Sequence, residues 1–334
     1  MKKILALLLS VMMMSTVVLA GCGSTGDTSG GSNANSGDVA ADKTYNIGIC
    51  QLVQHVALDA ATQGFKDYLT DKLGDKVTFN EQNAQGDSAT CTTIANQFVA
   101  DKVDLILGNA TPALQAAFTA TSEIPVLGTS ITDYGTALDI ADWTGTSGFN
   151  VSGTADLAPL DGQADIIKEL FPEAKTVGLL YCSAEPNSKY QCDTIATYLT
   201  DYEVKTYTFS DSNDIAAVTT AACDECDVLY IPTDNAAASN TGIIDNIATE
   251  KGVPIVSGEE GICSGCGVAT LSISYYDLGQ KTGEMAYDIL VNGADISTME
   301  VQFAAATTKK YDAARAEALG ITIPDDYEAI EAAE

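Results

Sequence analysis

Residues 45–69 read YNIGICQLVQHVALDAATQGFKDYL. A β-prone run at 45–52 is followed by a polar turn around Gln54-His55. An amphipathic stretch at 57–72 then repeats its apolar positions at helical spacing. One strand, one polar turn and one helix make a unit, and the rest of the chain repeats it. Candidate strands at 76–80, 105–107 and 126–127 alternate with helix-length segments at 88–100 and 111–120. A second round has strands at 176–181, 203–209, 228–231, 254–256 and 268–272, with helical segments at 160–170, 187–201, 213–222 and 235–250. Strands and helices that alternate over short connections imply parallel sheets covered on both faces. Two rounds imply two such lobes. The expected fold is α/β, two doubly wound parallel-sheet lobes.

The start of the chain carries export signals. Lys2 and Lys3 precede an apolar run from Ile4 to Val18, which has signal-peptide length and is short for a membrane span. It ends in Leu19-Ala20-Gly21-Cys22, a pattern that resembles a bacterial lipobox, with Cys22 as the lipid-bearing residue. An ordinary secretory signal with a chance cysteine is the alternative. Residues 23–42 are rich in Gly, Ser, Thr, Asn and Asp, so they suit a tether and not a core. The expected address is the outer face of the cell membrane, with lipid on Cys22 as the attachment.

The chain has 334 residues, 16 basic and 46 acidic side chains, and a formal charge of −30. Its length suits two domains of about 150 residues each. An acidic chain is a very poor partner for nucleic acid. It suits solubility and docking against a basic surface.

Polar motifs follow the candidate strands, where open α/β sheets bind ligands. In the first half they are Gln54-His55, Asn83-Ala84-Gln85-Gly86-Asp87, Asn109-Ala110-Thr111-Pro112 and Gly128-Thr129-Ser130-Ile131-Thr132-Asp133. In the second half they are Cys182-Ser183-Ala184-Glu185-Pro186-Asn187-Ser188, Pro232-Thr233-Asp234-Asn235 and Gly258-Glu259-Glu260-Gly261. Asp87, Thr111 and Asp234 also fit helix N-caps, with Pro112 at a first helical position. The cap and ligand readings are compatible, because helix N-termini attract anions.

Six stretches together carry a family resemblance: GICQLVQHVALDAATQGFKD, NAQGD, ATPALQAA, IPTDNAAAS, GEEG and SISYYDLGQKTGEMA. In order and spacing they resemble the tryptophan/tyrosine-type substrate-binding lipoproteins of ABC importers, over about residues 45–324. The resemblance implies the type I periplasmic-binding-protein fold, with three crossings between lobes near 150–158, 272–276 and 299–305. The implied domains are a signal peptide at 1–21, a lipid-anchored linker at 22–43, a first lobe at 44–154 plus 275–302, and a second lobe at 155–274 plus 303–334. It further implies capture of a small amino-acid-like solute, best an aromatic amino acid, in the cleft, and delivery to ABC permease subunits in the membrane. A monomer without cofactor, metal or catalytic role is expected.

Residue chemistry then suggests roles. A zwitterion needs an anionic acceptor for its ammonium and donors for its carboxylate. Asp234 is the first choice for the ammonium and Glu259 the second. Thr111, Ser130, Thr132 and Ser183 are candidate carboxylate donors, and Asn187 suits either group. Gln54, Asn235 and His55, the only histidine, lie along the same edge. Contact with a ligand, capping and packing all stay open for His55; a metal role lacks a second histidine.

Eight cysteines follow Cys22: Cys50, Cys91, Cys182, Cys192, Cys223, Cys226, Cys263 and Cys266. Disulfides, free thiols and, for the CDEC and CSGC pairs, a structural four-cysteine zinc site are all open. A sugar-binding or sensory role on the same fold, or a thiol-redox role, are the competing functions.

Overall fold

A computed structural model describes residues 43–330. The first lobe begins with β1 (Tyr45–Gln51), α1 (Val56–Leu73), β2 (Val77–Asn83), α2 (Ser88–Asp101) and β3 (Leu105–Asn109). It continues with α3 (Thr111–Ala120), β4 (Val126–Ile131), α4 (Tyr134–Leu138) and β5 (Val151–Ala155). The second lobe runs through α5 (Leu160–Leu170), β6 (Thr176–Cys182), α6 (Pro186–Ala196), β7 (Glu203–Phe209), α7 (Ile215–Glu225) and β8 (Val228–Ile231). There follow α8 (Asn235–Ala238), α9 (Thr241–Lys251), β9 (Ile255–Ser257), α10 (Glu260–Cys266) and β10 (Ala269–Ser272). The chain ends with α11 (Tyr275–Leu290), β11 (Gln302–Phe303), β12 (Thr308–Tyr311), α12 (Ala313–Leu319) and β13 (Glu328–Ala329).

The first sheet has the order β11-β5-β4-β3-β1-β2, and every pair in it is parallel. The second has the order β13-β12-β10-β9-β8-β6-β7, parallel except where β12 runs against β10. The chain passes between sheets after β5, after β10 and after β11. Both faces of each sheet are covered, so strand residues alternate between two buried sides. In β1 and β3, Ile47, Ile49, Leu105 and Leu107 face Phe65, Leu69 and Met285 of α1 and α11. On the other face, Cys50 and Ile106 meet Phe98 and Leu114 of α2 and α3.

The helix expected at 235–250 is two helices. Ser239 Oγ donates to the Asn235 carbonyl at 2.7 Å, and Asn240 Nδ2 to the Ala236 carbonyl at 2.8 Å. Asn240 N–H turns to the Ala237 carbonyl at 2.9 Å, so the Ala236 carbonyl is taken by the Asn240 side chain in place of the helical N–H. Strand β5 was not expected, because VSGTA has no apolar run; burial between β4 and β11 makes it a strand. Asp87 caps α2 by accepting from Ala89 N–H at 2.8 Å. Thr111, by contrast, is the first helical residue, and Ala110 holds the cap position.

Helices α1 and α11 meet backbone to backbone. A Cβ on Gly279 would run into the Ala61 carbonyl, and one on Gly64 into the Tyr276 carbonyl. Gly279→Ala is therefore expected to lose about 1–3 kcal/mol to overpacking, despite alanine's better helix propensity. Gly242 in α9 faces open space, and Gly242→Ala should gain up to about 1 kcal/mol. Urea unfolding of both variants checks the contrast; equal effects would mean that the α1–α11 seam is not tight.

Candidate functional site

Strand ends of the first lobe and helix starts of the second meet around a small cavity. Its lining is His55, Leu58, Ser130, Thr132, Asp156, Asn187, Thr233, Asn235 and Tyr275. The lobes are closed on each other here. His55 Nε2 lies 3.2 Å from Asn235 Oδ1, and Gln191 Nε2 donates to Thr132 Oγ1 at 3.4 Å. The cavity's free volume is about 10 Å³, on a scale where one water needs roughly 10–15 Å³. An outer chamber of about 300 Å³ shares Asn235 with it and is walled by Leu52, Val53, Pro112, Cys182 and Glu185, among others.

The polar groups of the central cavity are unusual in their partners. Among the described residues, six buried side-chain polar atoms have no hydrogen-bond partner, and three belong to this lining: His55 Nδ1, Ser130 Oγ and Asn187 Oδ1. Buried polar atoms are nearly always paired, so such a cluster marks a place where something else binds. Ser130 also has a left-handed backbone, φ 57°, where the β4–β5 register shifts. Strained backbone of this kind is held by its surroundings and collects at functional sites.

One carboxylate lines the cavity, Asp156, which follows β5 at the first crossing. Tyr275 Oη donates to its Oδ2 at 2.8 Å and Thr132 Oγ1 to its Oδ1 at 3.3 Å. Burial pushes its carboxyl up to about 6, and these hydroxyls hold it from rising further. His55 occupies the N-cap position of α1 without capping it. Its ring is desolvated, which lowers its pKa and favours the neutral form, against a smaller opposing pull from Asn235.

Several expected site residues sit elsewhere. Asp234 is buried, but it caps α8: Oδ1 accepts from Ala237 N–H at 2.8 Å and Oδ2 from Cys182 N–H at 2.7 Å. Neither oxygen reaches the cavity lining. Burial, and then the neighbouring Glu185, push its carboxyl up to about 7. Glu259 caps α10 through Gly261 N–H, at 2.5 Å, and Ile262 N–H. Thr111 is buried outside the lining, Gln54 is exposed, and Ser183 is exposed with its hydroxyl on the Phe209 carbonyl. Ser130, Thr132, Asn187, Asn235 and His55 do converge. Asp156 and Tyr275 were missed; the signal was an acid and an aromatic sitting at two expected crossings.

A larger groove, about 820 Å³, runs past Val56, Glu259, Glu260, Tyr276 and Lys310. Its acids are already paired, Glu260 with Lys310 at 2.6 Å and Glu259 with α10. None of the six unpartnered atoms opens into it. Size alone does not make it the site.

The eight cysteines among the described residues are buried free thiols, and no three metal-ligating side chains converge there. The four-cysteine zinc arrangement is thus not assembled. Burial raises the Cys223 thiol to about 11 and raises Cys226, Cys263 and Cys266 too. Reactive dithiols need the opposite shift. Cys22 lies outside the described residues.

Comparison with known proteins places the chain. The family profile for ABC transporter substrate binding proteins matches residues 46–333. A curated tyrosine-binding protein of Clostridioides difficile is 40% identical over 294 residues, 86% of this chain and 84% of that protein. A crystal structure from Streptococcus pneumoniae, an ABC domain in complex with L-Trp, is 31% identical with a TM-score of 0.82, covering 86% of this chain and all of that one. The ligand-free, open structure of a Clostridium difficile substrate-binding protein with adhesive properties is 37% identical, yet its TM-score is 0.66 over 87% of this chain and all of that one. The described lobes thus match the ligand-bound relative better than the open one, against the order of identity. With its two parallel-sheet lobes and its cleft, the chain belongs to the family of ABC transporter substrate-binding proteins, which bind and do not catalyse.

Proposed function

We propose that this chain captures an aromatic amino acid on the outer side of the membrane, with the ligand's ammonium in the central cavity and its side chain in the outer chamber. The convergence of His55 Nδ1, Asn187 Oδ1 and Ser130 Oγ beside the Asp156 carboxylate carries this reading. An ammonium offers three donors and a positive charge. The cavity offers a neutral ring nitrogen, an amide oxygen and an acid. The cavity is water-sized, which suits a head group, while the outer chamber is at the lower end of ligand-pocket volumes and has apolar walls at Leu52, Val53 and Pro112. The relatives that are tyrosine-binding or complexed with L-Trp support the side-chain class. Closure then offers a joint surface of both lobes to the permease.

Two substitutions separate Asp156 from Asp234. Asp156→Asn leaves the ligand charge unpaired in a closed cleft, a loss of roughly 2–5 kcal/mol, or about 30-fold to several thousand-fold in Kd for L-tyrosine or L-tryptophan. Asp234→Asn keeps affinity within about threefold, since the group lies off the lining. It costs about 1–3 kcal/mol of stability, because one of two backbone N–H groups loses its acceptor. Calorimetric titration and urea unfolding of both variants test this, and a reversed pattern would return the ammonium to Asp234.

Binding and stability should respond to pH with opposite signs. In the closed cleft Asp156 titrates at about 6, so below that pH the ligand's ammonium must displace a proton. His55, its pKa lowered by burial, must also lose a proton on closure when the pH lies under its ordinary value. Affinity is therefore full near pH 7.5 and falls about tenfold by pH 5, and Asp156→Asn flattens much of the profile. The ligand-free fold behaves otherwise. Asp234 and Glu259, which cap helices within the second lobe, sit at about 7 and are raised above the values of an unfolded chain. Their contribution is fully present below about pH 4 and is lost as the pH rises through about 7. The thermal midpoint without ligand should be higher at pH 5.5 than at pH 8.

The anchor is a separate part of the proposal. If lipid on Cys22 holds the protein at the membrane, Cys22→Ser abolishes incorporation of labelled palmitate in growing cells. Undiminished label on the variant would reject the lipobox.

A further inference from the structure

Glu185 precedes α6 in the second lobe and is buried. Its carboxylate meets four donors: the backbone N–H of Asn235 at 3.0 Å and of Ala236 at 2.8 Å, and the side-chain amides of Asn235 at 2.7 Å and Asn187 at 3.1 Å. A carboxylate surrounded only by donors can only accept. Both asparagines therefore turn their NH2 groups to Glu185 and their oxygens away from it. Asn187 Oδ1 lies in the cavity lining without a protein partner. Asn235 Oδ1 crosses the cleft to His55 Nε2. An amide oxygen needs a donor, so Nε2 carries the proton. In a neutral ring Nδ1 is then a bare lone pair, and here it is buried and unpartnered.

We infer that Glu185 is a positioning residue which, through Asn235, selects the Nε2–H tautomer of His55, so that the closed cleft presents acceptors from both lobes to a ligand ammonium. This rests on the amino-acid reading above. The carboxylate of Glu185 is already taken up by these four donors. It sets which way two amides and one imidazole face. Because His55 belongs to the first lobe and Asn235 to the second, the selection operates only once the lobes have met. The consequence is chemical discrimination. An analogue that lacks the amine leaves buried acceptors without donors and is rejected far more strongly than its size predicts.

The chain has one histidine, so labelling with 15N-histidine reports one ring. In protein saturated with L-tyrosine, Nε2 is expected as the protonated, pyrrole-type nitrogen. Nδ1 is expected as the unprotonated nitrogen, shifted by a hydrogen bond that it accepts. Glu185→Gln presents an NH2 where a carboxylate oxygen stood. Asn235 then turns over, and the ring should switch to Nδ1–H. The preference for L-tyrosine over 3-(4-hydroxyphenyl)propionate, its des-amino analogue, should drop at least tenfold. Asn235→Ala leaves Glu185 in place and removes only the relay, so it should give mixed tautomers even if Glu185→Gln folds poorly. A protonated Nδ1 in the tyrosine-bound wild type, or the wild-type tautomer retained in both variants, overturns the inference. Tyrosine binding is scored independently by calorimetry, so a wrong ligand shows there and not in the ring signals.

Discussion

The contact on which the rest depends is the seam between α1 and α11. Gly64 and Gly279 let two helix backbones touch, with carbonyl oxygens where side chains would otherwise stand. Helix α11 follows β10 of the second sheet, yet it packs on the first lobe. That return obliges the chain to cross between lobes a second time, and its end to cross again to reach β12. The seam also brings two distant residues to the base of the cleft. His55 stands at the start of α1 and Tyr275 at the start of α11, and both line one cavity. A connection of several segments permits rotation about a line and resists sliding, which is what lobe closure around a solute needs.

Much of the architecture could be read from the chain. Strands buried on both faces are apolar runs, and the helices between them carry a periodic stripe, so both lobes and most elements of the βα rhythm were legible. The exceptions have local causes. VSGTA carries no β signal of its own; Gly153 there has φ 143°, and a Cβ at that position would collide with the Gly128 backbone. The EGICSGC segment becomes α10 because Glu259 caps it, although its glycines argue against a helix. The site was legible to the level of loops and not of roles. An aspartate between a strand and a helix reads the same whether it caps the helix or meets a ligand. At Asp234 both oxygens are taken by backbone N–H groups, a fact that depends on β6 lying beside β8. Asp156 was hidden for the opposite reason. Its partners are 24 and 119 residues away, so nothing near it in the sequence marks it.

Four buried carboxylates stand around the cleft, and the difference between them points to where a cation would go. The ion pairs among the described residues join other groups, nearer the surface. Asp156, Glu185, Asp234 and Glu259 have no lysine or arginine beside them, so each must be solvated by hydrogen bonds. Glu185 meets four N–H donors. Glu259 takes two backbone N–H groups at the start of α10, and Asp234 takes one at the start of α8 and one from Cys182 at the end of β6; at the helix starts the helix's own partial charge assists. Asp156 has two side-chain hydroxyls and no helix terminus. Of the four it is the one that lines the cavity, and its partners are hydroxyls and not backbone N–H groups. A cleft closed around such a group must take up either a proton or a cation. The proton is available only toward pH 6, where the carboxyl titrates. In the proposed reading a ligand's ammonium does the same work at neutral pH, with His55 and Asn187 accepting its remaining hydrogens. Closure without a cation then leaves a buried charge uncompensated, and closure with one does not. That difference in free energy between the two closed states is what couples the motion of the lobes to capture.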